Sequence, residues 1–394
     1  MTMIPKIRFS EFVEEWKETT INEISTSYSG GTPSAGEPQY YGGNIPFIRS
    51  GEIHNDKTEL FLTEEGLSSS AAKMVSKGTI LYALYGATSG EVAISQINGA
   101  INQAILAICV NEKNDSKFVC CQLEKEKKNI VGTYLQGGQG NLSGAIIKNF
   151  KIATPTLSEQ RRISQFFTLL DETIRLEGER LLSLKQVKAA SLQSFFPQEG
   201  EKEPRVRFKG FSGEWKKVKI GEIFKERNEQ NIHGEMLSVT MNNGIIKASE
   251  NGRFDNSNDD KSHYKVVKIG DIAYNSMRMW QGASGCSAYE GIVSPAYTVL
   301  NPQEGIDSLF FSYLFKCQNM LKVFRFNSQG LTSDTWNLKY PTLSQIEIQY
   351  PESLAEQRAL STYFTNIDEQ IRLVSEKIEK MKKVKGACLE GMMV

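Results

Sequence analysis

The stretch from Ser353 to Met393 occurs twice in this chain. Displaced by 197 positions it falls on Thr156 to Phe196, so that Glu356-Gln357-Arg358 meets Glu159-Gln160-Arg161, Phe364 meets Phe167, Asp368-Glu369 meets Asp171-Glu172, and Ile371-Arg372-Leu373 meets Ile174-Arg175-Leu176. Lys382, Val384, Lys385, Ala387 and Leu389 fall on Lys185, Val187, Lys188, Ala190 and Leu192. Between Glu159 and Ser194, 17 of 36 positions are identical without a gap. Chance does not produce such a match, so the chain is an internal duplication and its fold must be built from two like halves.

Both copies read as long helices. Each opens with a capping box, Thr156-x-x-Glu159 and Ser353-x-x-Glu356, in which the hydroxyl can accept from a free amide of the first turn and the Glu can reach back to the cap. The distal copy keeps a 4-3 apolar spacing through Leu360, Phe364, Ile367, Ile371, Val374, Ile378 and Met381, which Lys385 and Cys388 continue less well. The central copy holds the same frame with Ile163, Phe167, Leu170, Ile174, Leu181 and Leu184, broken at Glu177, beside which Gly178 costs roughly 1 kcal/mol against Ala. A 4-3 repeat is a seam that needs another helix, and the matched partner is the other copy. At about 1.5 Å per residue, each helix is on the order of 55–60 Å long, which suits a spacer.

At 394 residues the chain has room for two or more cores, and 40% hydrophobic with 23% charged residues is ordinary globular composition. The formal net charge of zero disfavours a globally basic nucleic-acid binder and leaves room only for local basic faces. The six Cys form no CxxC pair and only three His are present, which disfavours structural zinc or a disulfide framework and suits a reducing cytosol. The N-terminal stretch shows no secretory h-region, and no apolar run approaches the ~20 residues needed to span a bilayer; Ala104 to Val110 is the most apolar and reads as a buried strand.

The duplication extends beyond the helices. Pro5-x-x-Arg8-Phe9-x-x-Phe12-x-x-Glu15-Trp16 recurs as Pro204-x-x-Arg207-Phe208-x-x-Phe211-x-x-Glu214-Trp215, and Ile21 to Ile24 recurs as Ile220 to Ile223. Midway, Gly78 to Tyr82 answers Gly270 to Tyr274, and Gly99 and Ala104 answer Gly291 and Ala296. Between these markers the halves differ almost completely, so they share a frame and carry different surfaces. Trp16 and Trp215, at matched positions, read as core anchors.

The expected class is therefore α+β, with four segments. Residues 1–155 form a twisted, mostly β unit with strands at Ile45–Arg49, Thr79–Leu84, Glu91–Ile97 and Ala104–Val110 and a helix at Ser116–Val131. Residues 156–196 form the central helix, stopped by Pro197. Residues 197–352 hold a polar linker and a second unit, with strands near Met236–Thr240, Val266–Asn275 and Ala296–Leu300 and a helix at Ser308–Val323. Residues 353–394 form the distal helix, and the two helices pair as an antiparallel coiled coil about a pseudo-twofold axis.

Catalytic patterns are missing. There is no Walker A loop, no methyltransferase Asn-Pro-Pro-aromatic motif, no HExxH and no GxSxG. Gly138-x-Gly140 followed by Gly144 lacks a preceding apolar strand and its third glycine is one residue late, so it reads as a loop. Asp259-Asp260 and Glu64-Glu65 read as solvated carboxylates. The chain reads as a scaffold presenting surfaces, with no metal site.

Several stretches carry a resemblance. They are Gly30-Gly31-Thr32-Pro33-Ser34, Tyr40 to Ile53, Tyr85 to Ile94 leading to Asn102-Gln103-Ala104, Asp271 to Gly282, Gly291 to Tyr297, and the two Glu-Gln-Arg triplets. In this order they resemble the specificity (S) subunits of type I restriction–modification enzymes over essentially the whole chain; the one departure is Glu177-Gly178. The resemblance implies a non-catalytic subunit of a cytoplasmic bacterial or archaeal complex. Each of its target-recognition domains would read one half of a split double-stranded DNA sequence, with the helix pair fixing the gap. Two modification (M) subunits would dock against the helices and restriction/motor (R) subunits would join them. S-adenosylmethionine, ATP and Mg are expected in those partners and no cofactor in this chain.

DNA contacts should lie on loops of one face, with Gln and Asn suited to adenine and Arg to guanine. In the first unit the candidates are Thr32, Ser34, Arg49, Tyr85, Thr88, Gln136, Gln139 and Asn141. In the second they are Asn275, Arg278, Trp280, Gln281, Arg325, Asn327, Ser328 and Gln329. Motifs shared among relatives with different targets cannot alone choose bases, so the stretches from Gln136 to Asn141 and from Asn327 to Asp334 are the better candidates for readout. Two other readings stand beside this one: a fused enzyme with an unrecognised site, and a coiled-coil scaffold whose β units bind protein, which zero net charge favours slightly.

Overall fold

In the first unit the strands in chain order are β1 (Lys17–Thr20), β2 (Ser25–Ser29), β3 (Tyr41–Ile48), β4 (Leu60–Leu62), β5 (Lys73–Val75), β6 (Ile80–Ala83), β7 (Val92–Ile94), β8 (Gly99–Ile101), β9 (Ile105–Val110) and β10 (Lys151–Thr154). Its helices are α1 (Ile21–Ile24), α2 (Glu64–Ser68), α3 (Ser116–Tyr134) and α4 (Gly144–Lys148), followed by the long α5 (Leu157–Ser194). The second unit adds strands β11 (Lys216–Lys219), β12 (Phe224–Glu226), β13 (Leu237–Thr240), β14 (Gly244–Lys247), β15 (Lys265–Val267), β16 (Ile272–Asn275), β17 (Ser284–Cys286), β18 (Gly291–Val293), β19 (Tyr297–Pro302) and β20 (Glu347–Tyr350). Its helices are α6 (Ile220–Ile223), α7 (Ser308–Leu314), α8 (Gln318–Asn327) and α9 (Tyr340–Leu343), followed by α10 (Leu354–Met392). These elements come from a computed structural model that describes residues 3–135, 141–241, 243–250 and 261–394. The class is α+β.

Two compact units result, with boundaries inside the long helices: unit 1 takes the chain up to Gly178 together with Glu376–Val394, and unit 2 takes Glu179–Ser375. The same frame appears in each. In unit 1 a four-stranded antiparallel sheet runs β2-β9-β6-β7, with the pair β1-β10 beside it; in unit 2 the matching sheet runs β12-β19-β16-β17, with β11-β20. Outside the frame the units diverge. Unit 1 has a second sheet, β4-β3-β8-β5, in which β3 and β8 are parallel, whereas unit 2 has two separate pairs, β13-β14 and β15-β18.

Two sequence expectations are corrected. The strand expected from Val266 to Asn275 is two strands, because Gly270 turns the chain at φ +88 and the next residues join a different sheet. Gly78 makes the same turn at φ +94 before β6, a conformation that glycine adopts at little cost. The helix expected from Ser308 to Val323 is likewise two, α7 and α8. Phe315 is fully buried at the break, and Cys317 leaves the helix at φ −65, ψ 141.

The repeated sequence markers are explained by these frames. In unit 1 Arg8 donates two hydrogen bonds of 2.8 Å to Glu159; in unit 2 Arg207 donates two, of 2.7 and 2.8 Å, to Glu356. This changes the capping-box reading. The hydroxyl half forms, with Thr156 and Ser353 accepting from the Glu159 and Glu356 amides, while both carboxylates turn to arginine. The neighbouring Gln160 accepts from the Asp115 amide, as Gln357 does from the Asp307 amide, and Ser164 and Ser361 donate to Asp115 and Asp307. The triplets therefore lock each long helix to the N-cap of α3 or α7. Trp16 and Trp215 are buried; Trp16 meets Phe118 edge-on and Trp215 meets Phe196 and Phe310.

Every seam position named in the sequence is buried or half-buried, while the intervening positions on α5 and α10 are mostly exposed. Within unit 1, Lys385 of α10 reaches Asp171 of α5 at 2.9 Å; within unit 2, Lys188 of α5 reaches Asp368 of α10 at 2.5 Å. The residue sums are equal in the two cases, which is the register of antiparallel helices. Glu177 does not break the seam: it sits half-buried in frame, in a helix without interruption, and Lys377 meets its carboxylate at 2.5 Å. Lys385, a weak continuation of the apolar frame, closes it through ion pairs with Asp171 and Glu124.

Candidate nucleic-acid interface

Backbone hydrogen bonds gather four loops at one edge of the unit 1 frame. Gly30 donates to the Asn102 carbonyl (3.3 Å), Leu84 to that of Ala104 (2.8 Å), and Leu142 to that of Leu84 (2.9 Å). This joins the segment after β2, the β8–β9 turn, the segment after β6 and the segment after α3. Unit 2 repeats the construction: the Ser276 hydroxyl donates to the Ala296 carbonyl (2.9 Å) and Leu338 donates to the Ser276 carbonyl (2.8 Å). The repeated Ala104 and Ala296 thus mark the same junction, and what each unit hangs on it differs.

In unit 1 the platform brings together Tyr85, Thr88 and Asn141. Tyr85 forms an isolated bridge with Asn141 and is 37% exposed; the Thr88 hydroxyl donates to the Tyr85 carbonyl. Thr32, in the segment after β2, donates its hydroxyl to Gln103 of the β8–β9 turn, and Ser34 is exposed. The Gly30-Gly31 pair ahead of them is there for close packing. A Cβ on Gly30 would lie 1.8 Å from the Ile101 carbonyl oxygen, and one on Gly31 would lie 2.6 Å from the Ala71 Cβ. Gln136 and Gln139 lie outside the described residues.

Arg49 is placed differently. Its guanidinium makes two 3.0 Å hydrogen bonds to Glu52 and one of 2.6 Å to Glu59. Burial would push the Glu52 carboxyl up, but Arg49 and the amides of Glu59 and Arg49 hold it down to about 2. The fork that would read guanine is occupied by carboxylates, and the residue ties the corner after β3.

In unit 2 the platform is aromatic and cationic. Trp280 meets Trp336 edge to face at 5.3 Å, and the Arg325 guanidinium lies over the Trp336 ring at 5.4 Å. Gln329 and Asn337 exchange backbone hydrogen bonds of 3.0 and 2.8 Å, so the 329–337 segment is a closed hairpin standing on Leu338, which is fully buried. Asn275 accepts from the Met277 amide and shapes the turn that carries Arg278, Trp280 and Gln281, all half-exposed. Asn327 and Ser328 turn back instead: their side chains donate to the Val323 and Phe324 carbonyls and finish α8. Sequence reasoning missed Trp336, whose signal was its position one residue before the Asn337-Leu338 step that matches Asn141-Leu142. Among the described residues no cluster of three or more His, Cys, Asp or Glu could hold a metal ion, and no helix is long and apolar enough to cross a membrane.

The fold and these platforms define a class of chain: two α+β units on a duplicated frame, each presenting a different loop surface, joined by paired helices. The chain belongs to the family of the type I restriction modification DNA specificity domain, which matches it twice, over residues 13–186 and 212–383. It is 22% identical over 416 residues to the type I restriction enzyme MjaIX specificity subunit of Methanocaldococcus jannaschii, covering 95% of this chain and 92% of that protein. It is 25% identical over 174 residues to the EcoR124I/EcoR124II specificity subunit of Escherichia coli, covering 42% of this chain and 43% of that one. In fold it is similar to the S subunit of a type I restriction–modification system from M. genitalium, with a TM-score of 0.63 and 15% identity over 100% of this chain and 99% of that one. A chain from a structure described as bearing on complex assembly and conformational transition of the type I R-M system aligns with a TM-score of 0.54 and 15% identity, covering 95% and 96%.

Proposed function

We propose that this chain is the DNA-specificity subunit of a type I restriction–modification complex, in which unit 1 and unit 2 each read one half of a bipartite target. The observation that carries this is the loop platform, built twice on one frame from matched junctions and furnished each time with different side chains. A frame under common constraint with divergent loops is what recognition of two different half-sites requires. Phosphate contacts by Lys and Arg would position the units; base edges would be read by Tyr85, Thr88, Asn141, Gln136 and Gln139 in unit 1, and by Arg278, Trp280, Gln281, Arg325 and Gln329 in unit 2.

Catalysis belongs to partners in this reading. Modification subunits carrying S-adenosylmethionine methylate adenine, restriction subunits use ATP and Mg, and this chain supplies the address. The antiparallel helices set the gap between half-sites. One heptad adds about 10 Å of helix, or about three base pairs at ~3.4 Å each. Matched seven-residue insertions in α5 and α10 should therefore lengthen the gap, and an unchanged gap would refute the spacer role.

The test is methylation mapping. The chain is expressed with the modification subunit encoded beside it in a strain without adenine methylation, and the genome is read by a modification-sensitive method. A single bipartite motif with methyl-adenine in both halves is expected. No new methylation from a soluble complex would overturn the reading in favour of a protein-binding scaffold.

A further inference from the structure

The two loop platforms differ in kind as well as in detail. Apart from Arg49, every unit 1 candidate carries a hydroxyl or an amide. On the unit 2 platform several of the polar atoms are spent inside the protein. The Trp280 ring nitrogen donates to the Met277 carbonyl (3.2 Å), and the side chains of Asn275, Asn327 and Ser328 close onto nearby backbone. The indole N–H is the one donor that a tryptophan side chain has, so Trp280 has none left for a base edge. What it shows to solvent is apolar, and it packs edge to face against Trp336.

The hairpin adds to that surface. The stretch from Gln136 to Asn141 in unit 1 and that from Gln329 to Asn337 in unit 2 each end one residue before the matched Leu142 and Leu338. The first holds Gly-Gly-Gln-Gly between its ends; the second holds Gly-Leu-Thr-Ser-Asp-Thr-Trp. Leu331 is 101% exposed, and Met277 is 40% exposed. Single exposed leucines are ordinary, but this one is held out on a constrained support. The Thr335 amide donates to the Thr332 carbonyl (3.0 Å) and the Thr332 amide to the Thr335 hydroxyl (3.1 Å), beyond the Gln329–Asn337 closure. Gly330 sits at φ +153, and a Cβ there would lie 2.6 Å from the Thr335 carbonyl oxygen. A leucine fixed in water on the same hairpin as a paired tryptophan marks a contact surface.

We infer that Leu331 and the Trp280–Trp336 pair form an apolar reading head for thymine, which takes the 5-methyl group in the major groove of the half-site read by unit 2. This rests on the function proposed above and deepens it by naming the chemical group that is read. Among the four bases, thymine alone presents an apolar group in the major groove, and a surface short of free donors can read that group where it cannot read a pattern of hydrogen bonds. Asp334, exposed on the same hairpin, would be repelled by phosphate, which favours base edges over the DNA backbone for the hairpin tip. Arg325, over the Trp336 ring at 5.4 Å, brings the attraction for DNA that an apolar head lacks.

The experiment uses the full chain assembled with its modification subunit, on a duplex carrying the mapped target, and fluorescence titration follows binding. Each thymine is replaced in turn by deoxyuridine, which removes the methyl group and keeps the base pair. At one or more thymines of a single half-site the affinity should fall about fourfold, the worth of one buried methyl group, and thymines of the other half-site should show no loss. Leu331→Ser or Trp336→Ser should erase the penalty at the thymine it covers, and Leu331→Ser should leave the melting temperature of the chain unchanged. A penalty that survives in both variants, or one of equal size in both half-sites, would overturn the reading head. Deoxyuridine tolerated everywhere would overturn it too; if Leu331→Ser then still weakens binding, the leucine acts as a wedge between base pairs. None of these outcomes touches the specificity reading, which fails if the assembled wild-type complex does not prefer a bipartite target at all.

Discussion

Arg207 grips Glu356, 149 residues away, through hydrogen bonds of 2.7 and 2.8 Å, and the glutamate side chain is 3% exposed. Arg8 holds Glu159 in the same way in unit 1, with Trp16 adding a 3.3 Å hydrogen bond from its ring nitrogen. These ion pairs clamp the N-terminal arm of each half to the first turn of its long helix. Removing one partner leaves a buried charge uncompensated, so Glu356→Ala should cost about 3–5 kcal/mol. Chemical denaturation checks this. Glu356→Gln, which keeps an acceptor for one prong, should lose less.

Gly178 lies inside α5, and a Cβ built there meets nothing within 4 Å; the same holds for Gly386 in α10. Replacing either by alanine relieves the backbone-entropy cost of glycine without a clash. Each variant should be more stable by about 0.5–1 kcal/mol, and the pair should be close to additive. Urea midpoints decide it, and a destabilised Gly178→Ala would mean that the helix needs a local irregularity there.

Asp171 gives unit 1 an acid-sensitive joint. Burial works to raise its pKa, but Lys117 and Lys385 outweigh that and hold it below the ordinary value. A depressed carboxylate contributes stability that is complete above the unfolded value of about 3.9 and is lost as pH falls through the lower folded value. Melting temperature should therefore fall below about pH 4. Asp171→Asn should melt lower near neutrality and show a shallower acid limb, and parallel acid limbs in the two proteins would refute the assignment.

Arg325 over Trp336 should act on DNA as a cation on a stacking platform. Arg325→Ala should weaken binding across sequences and reduce the slope of log affinity against log salt by about one if it meets a phosphate. If it reads a base, discrimination at one position of the second half-site falls instead, by about 1–3 kcal/mol. Fluorescence titrations of the assembled complex at several salt concentrations separate the two, and a variant unchanged in both respects would remove Arg325 from the interface.

The duplication, the α+β class and the seam are legible in the order of residues alone. These are local or periodic signals: a helix buries every third and fourth residue, and a repeat aligns with itself without any knowledge of contacts. Placing Arg49 and Trp336 needed the fold. Arg49 had the right chemistry for a base but lies against Glu52 and Glu59, because the β3 corner brings those carboxylates to it. Trp336 lies 56 positions from Trp280 and joins it only because Leu338 hydrogen-bonds to Ser276 at the platform junction. Glu177 interrupts the apolar frame in the sequence, and in the fold Lys377 stands opposite it and meets its charge. Strand register and antiparallel pairing set those neighbours, and both depend on packing between residues far apart in the chain, which no window of sequence contains.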